Sequence, residues 1–172
     1  MLVQIVAPTY DLLASTKEYL RILDDDSDNL IASFIDTAYI FAEDYTNRSL
    51  KTATYELTLP TIADGFTLPK NPIQSISKIE LRDINGDYSI YDDTHYYLYE
   101  EYGIGCIKFD NLPSLVTHKQ AIKITFIAGY TDIPEALKNW IKYKASILLD
   151  GETYNENKFV DSILDQYRVR SY

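Results

Sequence analysis

Apolar residues recur at three- and four-residue spacing between Asp11 and Tyr45, which predicts two helices separated by an acidic turn. The first helix runs from about Asp11 to Ile22. Ser15 and Glu18 also match a capping box, so a later start of this helix stays open. The acidic turn carries the candidate caps of the second helix.

The second predicted helix is the longer and has the clearer apolar stripe. It follows Asp26 or Ser27 as its cap, and its stripe contains Leu30, Ile31, Phe34, Ala38, Phe41, Ala42 and Tyr45. Ile35, Tyr39 and Ile40 widen the apolar surface beyond one stripe. We therefore expect this helix to be central in the fold or packed against a neighbouring subunit.

From Lys51 the hydrophobic period changes to two, which predicts a small antiparallel sheet built from hairpins. The predicted strands cover residues 54–59, 66–69, 76–84, 88–91, 95–99, 105–109 and 121–128. Asn85-Gly86 predicts a two-residue hairpin turn, because both residue types tolerate a positive φ. Gly103-Ile104-Gly105 lacks the third glycine and following helix of a dinucleotide site, so it also predicts a hairpin turn.

Helical spacing returns after Tyr130. Asp132 is a candidate cap, Pro134 suits a first turn and Gly151 a helix end, and a last helix is predicted from about Asn157 to Tyr167. The predicted fold class is α+β, with the N-terminal helix pair and the C-terminal helices forming a helical core and the sheet inserted between them. The predicted segments of this single domain are 1–50, 51–130 and 131–172.

Composition argues against an enzyme. The 172 residues include one cysteine, Cys106, which excludes a disulfide framework and a cysteine-based metal site. The two histidines, His95 and His118, leave little material for histidine catalysis or a multi-histidine metal site. The net charge of −10 argues against a sequence-specific nucleic-acid binder, while it suits a wall that DNA slides past. We expect no catalytic residue, no cofactor and no metal. Residues 1–8 are apolar but too short for a membrane span.

Two local patterns resemble catalytic or metal-binding motifs. Asp24, Asp26 and Asp28 imitate half of a calcium loop, but Asn29 stands where glycine is needed. Adjacent Glu100 and Glu101 would lie on opposite faces of a strand, which disfavours a hydrolase that uses paired acids.

The sixteen tyrosines, dense from Tyr88 to Tyr102, indicate a contact surface, a glycan-stacking platform or a compositional habit. A tyrosine-rich binding module for a glycan or a protein is therefore the alternative function.

Charge is unevenly distributed. Residues 11–45 carry nine acidic and two basic residues, a balance of −7, whereas residues 119–144 carry five lysines and two acids, a balance of +3. Opposite signs suit head-to-tail contact between identical subunits or internal pairing, and internal pairing is the safer interpretation.

The amino-acid sequence resembles that of the head–tail connector (adaptor) proteins of tailed double-stranded DNA phages and prophages. The resemblance rests on several motifs in order: Leu13, Lys17, Leu20, Arg21 and Ile22; Asp25 to Asp28 with Leu30 and Ile31; Glu43, Tyr45, Thr46, Arg48 and Leu50; Thr54 to Leu59; Leu68 to Ile76; Phe126 to Tyr130 with Ile133 to Ala136; and Leu164, Tyr167, Arg168 and Val169. Residues 149–157 depart from the family pattern.

The resemblance implies a structural role in a phage particle. Connector proteins of this type form a ring, usually of twelve subunits, beneath the portal protein, extend the DNA channel and offer a docking surface for a stopper or tail-completion protein. Double-stranded DNA would pass without sequence recognition. We expect assembly in the host bacterial cytoplasm, a place at the virion neck and no membrane partner.

Candidate sites follow from this implied role. The second helix and the helix over residues 134–149 would form the core and part of the subunit interface, with candidates Ile35, Tyr39, Ile40, Trp140 and Lys144. The candidate portal attachment comprises Phe159, Leu164, Tyr167, Arg168 and Arg170. The candidate channel-facing acids are Asp24, Asp25, Asp26 and Asp28. Residues 79–109 would project as an arm.

Overall fold

The computed structural model describes residues 1–6, 11–151 and 158–169, with the backbone alone for residues 158–161. The chain divides into two compact units, a β unit of residues 1–8 and 52–129 and a helical unit of residues 9–51 and 130–172. The α+β fold class is confirmed. The division predicted at residues 50 and 130 remains a prediction.

The helical unit contains four helices among its described residues. They are α1 (Leu13–Leu20), α2 (Asp28–Thr46), α3 (Glu135–Asp150) and α4 (Lys158–Asp165). The predicted apolar stripes meet in one core whose largest members are Ile31, Tyr39, Leu50, Leu137, Trp140 and Ile141. The apolar face of each helix is thus buried against the apolar face of another helix.

Two helix boundaries differ from their predictions. α1 covers Leu13–Leu20 rather than residues 11–22, because Arg21 adopts a left-handed conformation with φ 59° and ends it. α3 begins at Glu135 after Pro134, and Asp132 does not cap it. The Asp132 carboxylate instead accepts a hydrogen bond from Lys138 Nζ at 2.9 Å. Gly151, with φ 65°, ends α3 as predicted.

The β unit contains two antiparallel sheets. Its strands are β1 (Leu2–Val6), β2 (Ala53–Leu59), β3 (Phe66–Thr67), β4 (Ile73–Arg82), β5 (Tyr88–Tyr91), β6 (Tyr96–Glu101), β7 (Ile104–Phe109) and β8 (Ile122–Ala128). One sheet has the order β1-β2-β8-β4-β5 and the other the order β3-β7-β6. β1 was not predicted, because four of its five residues are exposed and show no alternation.

Alternate residues of the central strands fill the core of the β unit. Tyr55 and Leu57 of β2, Ile122, Ile124 and Phe126 of β8, and Ile107 of β7 are all buried. Ile79 and Phe109, at the two limits of the segment expected to project as an arm, are buried in the same core. This segment is therefore part of the packed unit at both of its ends.

The Asn85-Gly86 prediction of a two-residue turn is wrong. β4 ends at Arg82 and β5 begins at Tyr88, so five residues connect them. Asp83 Oδ1 accepts the backbone N–H groups of Asn85, Gly86 and Asp87 at 2.8–2.9 Å, which holds the longer loop closed. The predicted turn at residues 103–105 lies one residue earlier, at Tyr102-Gly103.

Gly105 is fixed by a close approach of chain segments. Its N–H donates to the Asn71 side chain at 2.6 Å, and its carbonyl accepts from Leu68 N at 2.9 Å. A Cβ at this position would lie 2.4 Å from Ile73 Cγ1. β7 can therefore pass this point only without a side chain.

Candidate assembly surfaces

The chain turns back sharply where α2 ends. Asn47 takes a left-handed conformation with φ 53°. The Glu43 carboxylate accepts the backbone N–H of Leu50 at 2.7 Å, and Leu50 is buried in the helical core. Thr46 Oγ1 donates to the Ala42 carbonyl at 2.6 Å. The backbone N–H of Arg48 donates to the Glu43 carbonyl at 3.3 Å, which supplies a partner that the last turn of a helix lacks. Together these bonds give the turn a defined geometry.

The same turn holds a segment from the other end of the sequence. Tyr45 OH donates to Asp165 Oδ1 at 2.6 Å, Arg48 Nε donates to the Tyr167 carbonyl, and Val169 N donates to the Thr46 carbonyl at 2.9 Å. The Arg168 guanidinium lies 5.2 Å from the centre of the Tyr45 ring. We call Tyr45, Thr46 and Arg48, with residues 165–169, the C-terminal clasp.

The predicted portal-attachment residues fall in and around this clasp. Leu164 is buried in the helical core, Tyr167 is half-buried and Arg168 is exposed. The backbone of Phe159 lies in α4, and its side chain is outside the described atoms. Arg170 lies outside the described residues. The buried Leu164 anchors the segment and the exposed Arg168 is available to a partner.

The predicted interface residues mostly face their own chain. Ile35, Tyr39, Trp140 and Lys144 are buried in the helical unit, whereas Ile40 is 60 % exposed. Burial raises the pKa of Tyr39, as do the nearby carboxylates, foremost Glu43. Burial gives these four residues a packing role within the subunit and leaves Ile40 as the candidate with an accessible surface.

Phe41 lies beside Ile40 on the accessible side of α2. Its ring stacks on Trp140 at a centroid distance of 5.7 Å, and Lys144 Nζ lies 5.1 Å from its centre. Phe41 is itself exposed, although the sequence pattern placed it in the core stripe. Residues 40–41 thus present an apolar surface next to a cation.

Lys17 offsets one of the four negative charges of the acidic turn within the subunit. Lys17 Nζ lies 2.6 Å from a carboxylate oxygen of both Asp25 and Asp28. Its hydrogen bond to Asp25 lowers the pKa of that carboxyl and, with the bond to Asp28, raises the pKa of Lys17. Asp24 and Asp26 are exposed. The turn therefore keeps a net negative charge towards a neighbour or DNA, and the exposed Asp24, Asp25 and Asp26 contribute to it.

The lysines of residues 119–144 are also partly used inside the subunit. Lys123 lies 3.7 Å from Glu56 and 4.4 Å from the centre of the Tyr88 ring. Lys138 pairs with Asp132 and Glu135 at 2.9 and 2.8 Å. Neither of these lysines pairs with an acid of residues 11–45, so their ion pairs give no support to internal pairing between the two charged segments.

The tyrosine-rich segment is divided between packing and exposure. Tyr91, Tyr96 and Phe109 form a cluster with centroid distances of 6.1–6.4 Å, and Tyr91 OH donates to the Asn111 carbonyl at 2.9 Å. Tyr97 is half-exposed and Tyr102 is 95 % exposed. Part of the high tyrosine content is thus explained by the β core, and the exposed remainder is concentrated along the β6–β7 hairpin.

Sequence reasoning missed the most exposed apolar side chains of the β unit. Ile84 in the Asp83–Asp87 loop is 90 % exposed, and Ile90 in β5 and Val6 in β1 are also exposed. Tyr102 has a positive φ of 51°, although it is not a glycine. The signal for Tyr102 was available, since a tyrosine precedes Gly103 where a tight hairpin favours asparagine.

The sequence and fold of this chain are similar to those of known proteins. Residues 10–88 match the family of phage gp6-like head-tail connector proteins. The resemblance to head–tail connectors is confirmed. The matched segment contains α1, the acidic turn, α2 and the first half of the C-terminal clasp, so it includes the connector signature from Glu43 to Leu50.

Solved structures extend the likeness to the whole chain. A chain from the neck of an empty gene transfer agent (GTA) particle, computed with C6 symmetry, is 19 % identical with a TM-score of 0.86. Chains from a native GTA virion and from the native GTA neck, computed with C12 symmetry, are also 19 % identical, with TM-scores of 0.85 and 0.83. Each match covers 100 % of this chain and 97 % of the other. At this identity the likeness shows a shared fold. The comparison with curated proteins found no match.

Across residues 1–6, 11–151 and 158–169, no group of three or more histidine, cysteine, aspartate or glutamate side chains is placed to hold a metal ion. Among the described helices, none is long and apolar enough to cross a membrane.

Proposed function

We propose that this protein is a non-catalytic connector subunit that forms a ring beneath the portal protein of a phage or phage-like particle. The family match over residues 10–88 supports the connector role, and the fold shared with chains of GTA neck structures supports a place at the virion neck. One of those necks was computed with C12 symmetry, which supports a ring of twelve copies. Assembly would take place in the host bacterial cytoplasm.

The C-terminal clasp is the observation that carries the proposal. Tyr45, Thr46 and Arg48 belong to the signature that resembles connectors, and each contacts the segment 165–169. A docking segment held at a fixed starting point loses less conformational entropy on binding than a free one. We propose that residues beyond the clasp, together with Phe159, Leu164, Tyr167, Arg168 and Arg170, attach the subunit to the portal.

The remaining surfaces have proposed roles in the same assembly. Asp24 and Asp26, helped by Asp25 and Asp28, would face the channel and keep double-stranded DNA from adhering, because like charges repel. The side of the ring away from the portal would receive a stopper or tail-completion protein. Ile40, with Phe41 beside it, would contribute to contacts between subunits. No cofactor, metal or membrane has a part in this role.

Negative-stain microscopy of the purified protein, alone and mixed with its cognate portal protein, tests the proposal. Rings, or caps on the portal, are expected. A chain that stays monomeric and leaves the portal bare would overturn the connector role.

A variant pair tests the portal attachment separately. Arg168→Glu changes an exposed residue of the clasp and should reduce caps on the portal, while its thermal midpoint stays close to that of the unmodified protein. Arg21→Glu is the matched control, since Arg21 is exposed beyond α1, and it should leave capping unchanged. Equal capping by both variants would contradict the assignment of the portal attachment to this end of the chain.

A further inference from the structure

The turn of the β6–β7 hairpin contains a tyrosine in a backbone conformation that tyrosine disfavours. Tyr102 and Gly103 form the two-residue connection between Glu101 and Ile104, with φ values of 51° and 75°. Two positive φ angles are the mark of a type I′ turn, where asparagine followed by glycine is preferred. A bulky side chain in the left-handed region adds strain. Stability of the isolated subunit therefore does not explain a tyrosine at position 102.

The surroundings of Tyr102 indicate a protruding contact. The side chain is 95 % exposed, and its neighbours Glu100 and Glu101 are exposed as well. Tyrosine supplies a large, stiff contact area with two rotatable side-chain angles, and it is enriched among residues that dominate binding energy. We call residues 100–103 the hairpin tip; it combines one aromatic ring with two negative charges.

A groove in the same unit has the complementary chemistry. It has a volume of about 510 Å³ and is lined by Pro60, Thr61, Leu115, Val116, Thr117, His118 and Lys119. Its apolar walls are formed by Pro60, Leu115 and Val116, and its charged lining residue is Lys119. Arg82 Nη1 lies 2.7 Å from the His118 ring. No acidic side chain is among the described residues that line it. We call it the 60/115 groove.

The tip and the groove lie at opposite ends of the β unit. Pro60 follows the pair Leu59–Ile122 at the start of β8. Gly105, near the base of the hairpin tip, contacts Asn71, which precedes the pair Ile73–Ala128 at the end of β8. The seven residues of β8 between these pairs span about 20 Å at 3.4 Å per step. One subunit therefore cannot place its own tip into its own groove without unfolding the sheet.

We propose that the hairpin tip of one copy docks into the 60/115 groove of the next copy, with Tyr102 between the apolar walls and Glu100 or Glu101 near Lys119. Two different patches make a heterologous contact, which repeats head to tail and closes into a ring when the rotation permits. This inference rests on the proposed ring and adds the residues that would join its subunits. The charge complementarity of tip and groove selects a second copy as the occupant.

Tyr102→Asn separates assembly from folding. Asparagine suits the turn, so the thermal midpoint of the isolated subunit should stay equal or rise, while the association constant between subunits should fall by about tenfold or more. Tyr19→Ala removes a half-exposed tyrosine from α1 and serves as the matched control. A Tyr102→Asn protein that assembles as well as the control would overturn the inference.

Cross-linking tests the contact directly. In a protein carrying Glu100→Cys and Thr117→Cys, which keeps Tyr102 and Glu101, a short bis-maleimide should produce a ladder of covalent oligomers, whereas either single variant should stop at dimers; the native Cys106 is buried and stays in place. The experiment is run on the protein alone and on caps bound to the portal. Rings without the ladder would overturn the tip–groove contact and leave the connector role intact. The absence of rings in both samples would overturn both proposals.

Discussion

The two units differ in what their notable side chains contact. In the helical unit, the side chains that match the connector signature bind other residues of the same chain, whereas several apolar side chains of the β unit are exposed to solvent. Glu43, Tyr45 and Arg48 are used to shape a turn and hold the segment 165–169. Ile84 and Tyr102 contact little of their own chain. A motif that identifies a family can therefore act by fixing internal geometry, while apolar residues with no recognisable motif are left exposed.

The strongest test of this comparison is a substitution in the helical core. Trp140 is 1 % exposed, and its ring stacks on Phe41. Trp140→Ala should lower the free energy of unfolding by about 3–5 kcal/mol, because a large cavity replaces the indole. Urea denaturation followed by circular dichroism measures the change. Ile40→Ala, on the exposed side of α2, should stay within about 0.5 kcal/mol of the unmodified protein.

A pair of glycine substitutions compares steric crowding with backbone strain. Gly105→Ala in the β unit should cost about 1–3 kcal/mol, since its Cβ would meet Ile73. Gly151→Ala at the end of α3 has no atom within 4 Å of the new Cβ and should cost about 1 kcal/mol through its positive φ. Thermal unfolding of both variants tests the order, and a larger loss at Gly151 would contradict the crowding at Gly105.

Loosening the C-terminal clasp should have a local effect. Arg48→Met removes the charged donor to the Tyr167 carbonyl and should cost about 1–2 kcal/mol. Hydrogen exchange of the Val169 amide, which bonds to the Thr46 carbonyl, should accelerate by about tenfold as the segment opens more often. Amides in the middle of β8 serve as internal references and should exchange at unchanged rates.

The smallest expected effect is a dependence on acid in the β unit. The ammonium of Lys108 and the backbone N–H of Phe109 hold the pKa of Asp64 below its usual value of 3.8. A lowered pKa contributes stability above pH 3.8 and loses it as the pH falls through the lower folded value. The thermal midpoints of the unmodified protein and Asp64→Asn should therefore differ most near neutral pH and converge in acid. Lys108→Met removes one of the two groups that lower the pKa of Asp64, so the thermal midpoint of this variant should depend less on pH than that of the unmodified protein.

The sequence predicted the helical unit better than the β unit for a physical reason. Nineteen residues of α2 repeat one face five times, so Ile31, Ile35 and Ala38 mark the core even though Phe41 of the same stripe is exposed. β1 has five residues with a bulge after Gln4, and its exposed Val3, Ile5 and Val6 give no period. Short edge strands depend on the partner strand for their conformation, and that partner is distant in the sequence.

The candidate surfaces divide in the same way. Periodicity placed Trp140 and Tyr39 on an apolar face, but it could not decide between a neighbouring subunit and the core of the same subunit. The contacts of Tyr45 and Arg48 join positions about 120 residues apart, as for Tyr45 with Asp165, and no local pattern carries that pairing. The prediction of a two-residue turn failed because the Asp83 carboxylate accepts three backbone N–H groups of the loop. These hydrogen bonds stabilise the longer loop over the shorter turn that Asn-Gly favours.

That loop has a consequence for the chemical ageing of the protein. Asparagine followed by glycine deamidates readily, because the glycine nitrogen can attack the asparagine side chain and form a succinimide ring. Here the Gly86 N–H is held by Asp83 Oδ1 at 2.8 Å, and the Asn85 amide nitrogen donates to Asp83 Oδ2 at 3.3 Å. Both hydrogen bonds oppose the approach of the Gly86 nitrogen to the Asn85 side chain, so we expect this Asn-Gly pair to deamidate slowly.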